Sequence, residues 1–218
     1  RSSDLTADFA RYQFDGNGIL LRNLVDFKFI FLQHGIIKDD LSLHLNRYNT
    51  QFGMFLTSTK LEYESIVNNK NYYYDKSVVK LTGLPRYDQL ISNDKKQILI
   101  IPTWKKDVVG PIDPDTRMRV YNPKFKESDY YKMYNSLIND DKLIEYAKDN
   151  GYSIVFLPNP EIYQQISDFT KNSNVTFIEH SASYQKLLIE SSLLITDYSS
   201  IAFDFAYMKK PVVYFQWY

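Results

Sequence analysis

An acid and two hydroxyl groups follow a short apolar run near the end of the chain, in LLITDYSSIAFD at residues 193–204. The run has the length and composition of a buried strand. Asp197 is then placed to cap a helix, and Ser199 and Ser200 fall in the first turn of that helix. Backbone N–H groups there lack helical partners, and the helix dipole favours an anion. The pattern predicts a phosphate-binding site, with a plain N-cap as the alternative.

His34 ends another run of apolar and aromatic residues and is followed by Gly35. An imidazole at a strand end can act as a general base, because its ordinary pKa lies near neutrality. A histidine that caps a loop fits the same position. His180 also ends a predicted strand, where it either lines a cleft or serves the structure. His44 has polar helical neighbours and is predicted to lie on the surface.

Two further segments carry basic and hydroxyl side chains after a predicted strand or turn. In TGLPRYD, Arg86 can pair with a phosphate, and Asp88 can hold Arg86 or accept from a hydroxyl. In PTWKK, Thr103 and Lys105 follow a strand. For TGLPRYD the alternative is a structural salt bridge, and for PTWKK it is a solvated basic loop.

The elements that must position these side chains alternate between strand and helix. The first part of the chain predicts β-α-β-α-β order, which is typical of a parallel sheet with crossover helices. Its strands are predicted at residues 27–33, 52–58 and 77–83, and its helices at 39–46 and 59–69. We expect Ser58 or Thr59 to cap the second helix, with Glu62 in the position of a capping box.

The second part of the chain repeats the alternation and predicts a doubly wound sheet. Its strands are predicted at residues 98–104, 152–158, 175–180, 193–196 and 211–215. Its helices are predicted at 128–150, 161–170, 183–191 and 199–210, and a polar and aromatic insertion covers 105–126. We therefore expect part of one Rossmann-like domain at 1–84, a linker at 85–97 and a second Rossmann-like domain at 98–218. Ligands of such sheets bind at the carboxyl ends of the strands, where the polar residues above occur.

The composition excludes several classes of function. Lys plus Arg and Asp plus Glu number 26 each, so no global field favours nucleic acid. The absence of Cys, of HExxH, of GxGxxG and of a Walker-type phosphate loop gives no support for a metal or a cofactor. No apolar run reaches the ~20 residues that span a bilayer. The missing initiator Met and the end at Tyr218 indicate an excerpt of a longer polypeptide.

Four motifs together resemble the CDP-glycerol glycerophosphotransferase family, which includes polymerases and primases of wall teichoic acid and related capsule-assembly enzymes of Gram-positive bacteria. The motifs are FLQHGIIKDDLS, LTGLPRYDQL, IPTWK and LLITDYSSIAFDFAYMKKPVVYFQ, and they occur in the order of the family. The resemblance implies an α/β protein of GT-B fold, with two Rossmann-like parallel-sheet domains that face a cleft. The N-terminal domain is then partial, and the C-terminal one is truncated.

The resemblance also implies an activity. A polyol phosphate, glycerol phosphate in the first place, is transferred from CDP-glycerol or another CDP-polyol to a hydroxyl of a lipid-linked or polymer acceptor, without a metal. His34 matches the histidine proposed as the base. The matching substrate-binding positions are Gly35, Arg86, Asp88, Thr103, Lys105, Thr196, Asp197, Ser199 and Ser200. The implied location is the cytoplasm, peripheral on the inner face of the membrane.

Two positions depart from the family pattern. The family usually has a second catalytic His in a PHP motif, where this chain has Asn159 between two prolines. Asn159 can donate a hydrogen bond but carries no charge. Lys105 stands where Arg is common, which replaces a bidentate fork by a point charge. A nucleotide-sugar glycosyltransferase of GT-B fold and a catalytically impaired binding or scaffold domain are therefore the alternatives.

Overall fold

The computed structural model describes residues 28–33, 35–116, 118–178 and 183–216. The chain forms two compact units, Arg1–Asp88 and Gln89–Tyr218. The predicted limits of 1–84, 85–97 and 98–218 stay predictions. His34 and His180 lie outside the described residues. Within the described ranges, no helix combines the length and the apolar character that crossing a membrane requires.

The first unit contains a parallel three-stranded sheet in the order β1-β2-β3. Its strands are β1 (Ile30–Phe31), β2 (Met54–Thr57) and β3 (Val79–Leu81). The connections carry α1 (Ser42–Leu45), α2 (Arg47–Thr50) and α3 (Lys60–Val67). The strand and helix order agrees with the prediction. The helix predicted at 39–46 is confirmed in a shorter form as α1, which ends before Asn46 because Asn46 takes an extended backbone and its side chain caps α2.

Glu62 ties the start of α3 to two other segments of the first unit. Thr59 is the N-cap of α3 and accepts from the Glu62 backbone N–H at 3.1 Å. The buried Glu62 carboxylate accepts from the Ser58 backbone N–H at 2.6 Å and from the Ile37 backbone N–H at 2.8 Å. The predicted cap is therefore Thr59, and the Glu62 carboxylate also holds the segment that follows Gly35.

The second unit contains a parallel five-stranded sheet in the order β6-β5-β4-β7-β8. The strands are β4 (Gln97–Ile101), β5 (Ser153–Phe156), β6 (Val175–Phe177), β7 (Leu193–Thr196) and β8 (Val212–Tyr214). The helices are α4 (Asp129–Ile138), α5 (Asp141–Asp149), α6 (Tyr184–Glu190) and α7 (Ala202–Tyr207), with a 3₁₀ helix at Pro160–Asp168. Short 3₁₀ turns occur at Lys70–Tyr72 and Pro85–Tyr87 in the first unit and at Lys106–Val108 and Phe125–Glu127 in the second. The predicted doubly wound parallel sheet is confirmed.

Two helices of the second unit differ from the prediction. The single helix expected at 128–150 is divided into α4 and α5, because Asp140 leaves the helical conformation and its side chain accepts from the Leu143 backbone N–H at 2.8 Å. The helix expected at 161–170 is a 3₁₀ helix that follows Asn159. One core of this unit joins the buried strands to the apolar side of α4, and a second joins them to α6 and α7.

The insertion at 105–126 contains a small hairpin. Ile112 and Arg119 form an antiparallel bridge, and the backbone N–H of Gly110 donates to the carbonyl of Val120 at 3.1 Å. A Cβ at position 110 would collide with that carbonyl, so the close approach requires glycine. The hairpin returns the chain to Arg119, which contacts the loop that follows β4.

Candidate active site at the carboxyl edge of the second sheet

The strand order of the second sheet reverses between β4 and β7, which are hydrogen-bonded neighbours. The chain moves from β4 outward to β5 and β6, and then returns to place β7 on the other side of β4. Ligands of open α/β sheets bind outside the carboxyl ends of the strands at such a switch point. The two loops that leave this point are 102–105 and 197–201, which carry five of the predicted site residues.

Asp197 joins these two loops. Its carboxylate accepts from the Thr103 backbone N–H at 3.2 and 3.1 Å and from the Thr103 hydroxyl at 2.5 Å. The Tyr198 backbone N–H donates to Oδ1 at 2.7 Å. Asp197 is only 1% exposed, so these bonds are sheltered from water and are stronger than surface bonds. The carboxylate therefore fixes the loop after β4 against the loop after β7.

Tyr134 of α4 is a further hydrogen-bond donor to the Asp197 carboxylate. Its hydroxyl donates to Asp197 Oδ2 at 3.2 Å, and its fully buried ring lies 5.5 Å from that of Phe215. Burial raises the pKa of Tyr134, and the nearby Asp197 carboxylate raises it further. Tyr134 consequently stays protonated and keeps donating to Asp197. The sequence marked Tyr134 only as part of a helix, because no local pattern indicates a partner 63 residues away.

The helix-capping role predicted for Asp197 is wrong. Helix α7 begins at Ala202, and its N-cap position is Ile201, which makes no side-chain cap bond. The Asp197 carboxylate instead accepts hydrogen bonds from Thr103 and Tyr134, which lie on other elements. Ser199 and Ser200 therefore precede the helix and do not belong to its first turn.

The two serines lie directly after this anchored point. Ser199 is half-buried and its hydroxyl oxygen accepts from the Ile201 backbone N–H at 3.4 Å, whereas Ser200 is exposed. Their backbone carbonyls accept from the N–H groups of Ala202 and Phe203 at 3.2 and 3.0 Å. Neither serine hydroxyl donates a hydrogen bond to a residue that the structure describes, so both protons can serve a ligand.

Thr196 makes a structural contact between two neighbouring strand ends. Its side chain is fully buried, and its hydroxyl donates to the Ile101 carbonyl at 2.6 Å. Because Ile101 and Thr196 are register partners at the ends of β4 and β7, this bond holds the strand ends together. Thr196 thus supports the switch point through its side chain, and a role in substrate binding stays a prediction.

A second group of contacts joins the loops that follow β4 and β5. Arg119 Nε donates to Glu161 Oε2 at 2.7 Å, and the guanidinium lies 5.1 Å from the centre of the Trp104 ring. Asn159 caps the following 3₁₀ helix, with its side-chain oxygen accepting from the Glu161 backbone N–H at 3.1 Å. Lys105 is half-buried between Trp104 and the next short 3₁₀ turn. The sequence did not single out Arg119, Trp104 or Glu161.

Three of the predicted site residues that the structure describes belong to the first unit. Gly35 is buried, and Arg86 and Asp88 are exposed. The Arg86 guanidinium lies 5.5 Å from the centre of the Tyr87 ring. Within the described ranges Asp88 forms no ion pair with Arg86, so the expected support of Arg86 by Asp88 is not found. In the same ranges, no group of three His, Cys, Asp or Glu residues could hold a metal ion.

Two units with parallel α/β sheets, the second with a candidate ligand site at its switch point, define a GT-B-like α/β protein. The sequence matches the family described as CDP-Glycerol:Poly(glycerophosphate) glycerophosphotransferase over residues 13–217. The chain belongs to this family.

Relatives with described roles are similar to this chain over much of its length. It is 53% identical over 200 residues to the minor teichoic acid biosynthesis protein GgaB of Bacillus subtilis (strain 168), which covers 91% of this chain and 22% of that protein. It is 24% identical over 157 residues to a teichoic acid poly(glycerol phosphate) polymerase of Bacillus spizizenii, covering 70% of this chain and 38% of the polymerase. The chain thus spans well under half the length of these relatives.

The fold is shared with a solved structure. The wall teichoic acid polymerase TagF superposes with a TM-score of 0.51 at 19% identity, over 86% of this chain and 47% of that structure. This likeness supports the fold and leaves the chemistry to the residues of the site.

Proposed function

We propose that this chain is the catalytic part of a CDP-glycerol glycerophosphotransferase-like enzyme. The donor is CDP-glycerol or a related CDP-polyol, and the acceptor is a hydroxyl of a lipid-linked or polymer chain in teichoic acid or capsule assembly. The acceptor oxygen attacks the phosphorus that carries the polyol, the bond from that phosphorus to CMP breaks, and the acceptor proton passes to a base. The setting is the cytoplasm, at the inner face of the membrane.

The observation that carries this proposal is the Asp197 anchor in the second unit. It fixes the loop with Thr103 against the loop with Ser199 and Ser200, at the sheet position where α/β proteins bind nucleotides. The serine hydroxyls, together with Lys105 on the other loop, can bind the diphosphate of the donor. Phosphoryl transfer depends mainly on positioning and charge stabilisation, which such a rigid edge provides.

The base and the acceptor side are proposed from the family match. His34 is the proposed base, and it stands between the buried Gln33 and Gly35 of the first unit. Arg86 is proposed as a phosphate-binding residue of the first unit, because an arginine guanidinium can bind a phosphate bidentately. Family membership over residues 13–217 supports both assignments.

A titration of the 218-residue chain with CDP-glycerol tests the donor site. We expect measurable binding that weakens by about 3- to 10-fold in Ser199→Ala and in Ser200→Ala, because each variant loses a hydrogen bond to an ionised phosphate. Thr176→Ala is the matched control, since this threonine is exposed on β6. Tighter binding of a UDP-sugar than of CDP-glycerol would contradict the proposal and favour a nucleotide-sugar glycosyltransferase.

The alternative of a catalytically impaired domain is favoured by one specific observation, the neutral Asn159 in place of the family's His. Asn159→His should raise the transfer rate by about tenfold or more, because a protonatable group then faces the developing phosphate charge. The rate of transfer from CDP-glycerol, with melting temperature measured alongside, checks this. Asn159→Asp keeps the cap acceptor to Glu161 but adds a negative charge, so it should slow transfer. No gain in Asn159→His would favour the binding or scaffold domain.

A further inference from the structure

Arg119 is a cation at the carboxyl edge of the second sheet whose donors are only partly used. Its Nε donates to Glu161 at 2.7 Å, while Nη1 and Nη2 have neither a hydrogen bond nor an ion pair within the described residues. The side chain is 17% exposed, so it is largely but not completely covered. An arginine with this geometry has up to four N–H donors left for a ligand.

The guanidinium plane is held on two sides. Trp104 follows β4, packs against the main core of the second unit and lies 5.1 Å below the guanidinium. Glu161 lies in the 3₁₀ helix after β5 and binds the Nε edge. A guanidinium that is already stacked and bonded loses little further entropy when it binds an oxyanion, and its planar fork matches the geometry of phosphate.

Asn159 belongs to the same group of contacts. Its side-chain oxygen accepts from the Glu161 backbone N–H at 3.1 Å, and its amide nitrogen has no hydrogen-bond partner within the described residues. Glu161 therefore connects two groups that both retain donors, the Arg119 guanidinium and the Asn159 amide. Asn159 supplies a neutral donor, whereas Arg119 supplies a full positive charge.

We infer that Arg119 binds an oxyanion of the donor diphosphate, beside Asn159 and next to the Thr103 loop. Arg119 then provides the positive charge that the neutral Asn159 cannot. Glu161 orients the guanidinium and leaves Nη1 and Nη2 for the ligand. This inference rests on the proposed function, because it takes a CDP-polyol as the ligand.

Calorimetric titrations of the 218-residue chain with CDP, CDP-glycerol and cytidine test the inference. Arg119→Gln should weaken the binding of CDP and CDP-glycerol by about 10- to 100-fold, since a charge-assisted bidentate contact is lost. Arg119→Lys should fall between Arg119→Gln and the wild type, because the charge remains but the fork is lost. Cytidine, which has no phosphate, should bind the wild type and the two Arg119 variants with equal affinity.

Glu161→Gln is the matched control, because it removes the same ion pair but leaves the guanidinium. It should weaken CDP binding much less than Arg119→Gln does. Equal losses in the two variants would mean that the ion pair only supports the loops, and the inference would be wrong. If Arg119→Gln bound CDP as tightly as the wild type, the inference alone would be refuted. If the wild-type chain bound no cytidine nucleotide, the proposed function would be refuted as well.

Discussion

Replacement of His34 by alanine is expected to abolish transfer while it leaves the binding of CDP-glycerol largely intact. A base that removes the acceptor proton contributes about 10²- to 10⁴-fold to the rate. The donor is proposed to bind at the second unit, whereas His34 belongs to the first, so the loss should fall on the rate and not on donor affinity. Initial rates and CDP-glycerol titrations of the same preparations measure the two effects separately.

His44→Ala provides a matched control for the His34 variant. His44 is the exposed third residue of the short helix α1, so its removal deletes an imidazole from the same unit without loss of a buried contact. It should leave the rate within about twofold of wild type, since exposed surface substitutions change little. A near wild-type rate in His34→Ala would exclude His34 as the base, and equal losses in both variants would indicate a general effect of histidine removal.

The parallel sheets of both units could be predicted because their strands are short apolar runs that alternate with amphipathic helices. Runs such as 98–101 and 193–196 are buried on both faces, and continuous apolar sequence is the signature of such strands. The order β6-β5-β4-β7-β8 follows the doubly wound pattern, but periodicity alone does not indicate which strands are neighbours. The sequence therefore predicts a doubly wound sheet but not the order of its strands.

Asp197 illustrates why the site was only partly predictable. An acid followed by serines before an apolar helix obeys the local rule for an N-cap, and the sequence offers no competing signal. The structure overrides this rule because Thr103, 94 residues earlier, lies at the neighbouring strand end and supplies two donors. A buried carboxylate gains more from these sheltered partners than from one exposed cap bond.

Arg119 illustrates a different limit. Its segment is polar and aromatic without a helical or strand period, so the sequence predicts only an insertion. The contact with Trp104 depends on a hairpin closed at Gly110, where the approach of the Val120 carbonyl leaves no room for a side chain. Glycine alone does not identify which backbone will approach it. Long-range contacts of loops therefore remain outside what the local pattern contains.

Replacement of Asp197 by alanine is expected to destabilise the second unit by about 3–5 kcal/mol and to weaken CDP-glycerol binding. The variant leaves the partly buried donors of Thr103 and the buried hydroxyl of Tyr134 without their acceptor, and each fully buried group of this kind costs about 1–3 kcal/mol. Urea unfolding followed by tryptophan fluorescence measures the loss. Trp104 and Trp217 are the two tryptophans of the chain, and both belong to the unit Gln89–Tyr218, so the signal reports this unit.

Two further variants separate the anchor from the ligand contacts around it. Tyr134→Phe removes one donor and keeps the ring, so it should cost about 1 kcal/mol and affect donor affinity little. Ser200→Ala, on an exposed side chain, should change the free energy of unfolding by less than about 0.5 kcal/mol and yet weaken donor binding. If Asp197→Ala were as stable as wild type, the carboxylate would not be the anchor of the two loops. A destabilised Asp197→Ala variant that bound CDP-glycerol as tightly as wild type would show that the donor binds elsewhere than at the switch point. A ligand that contacts both loops should bind more weakly once the bonds that join the loops are lost.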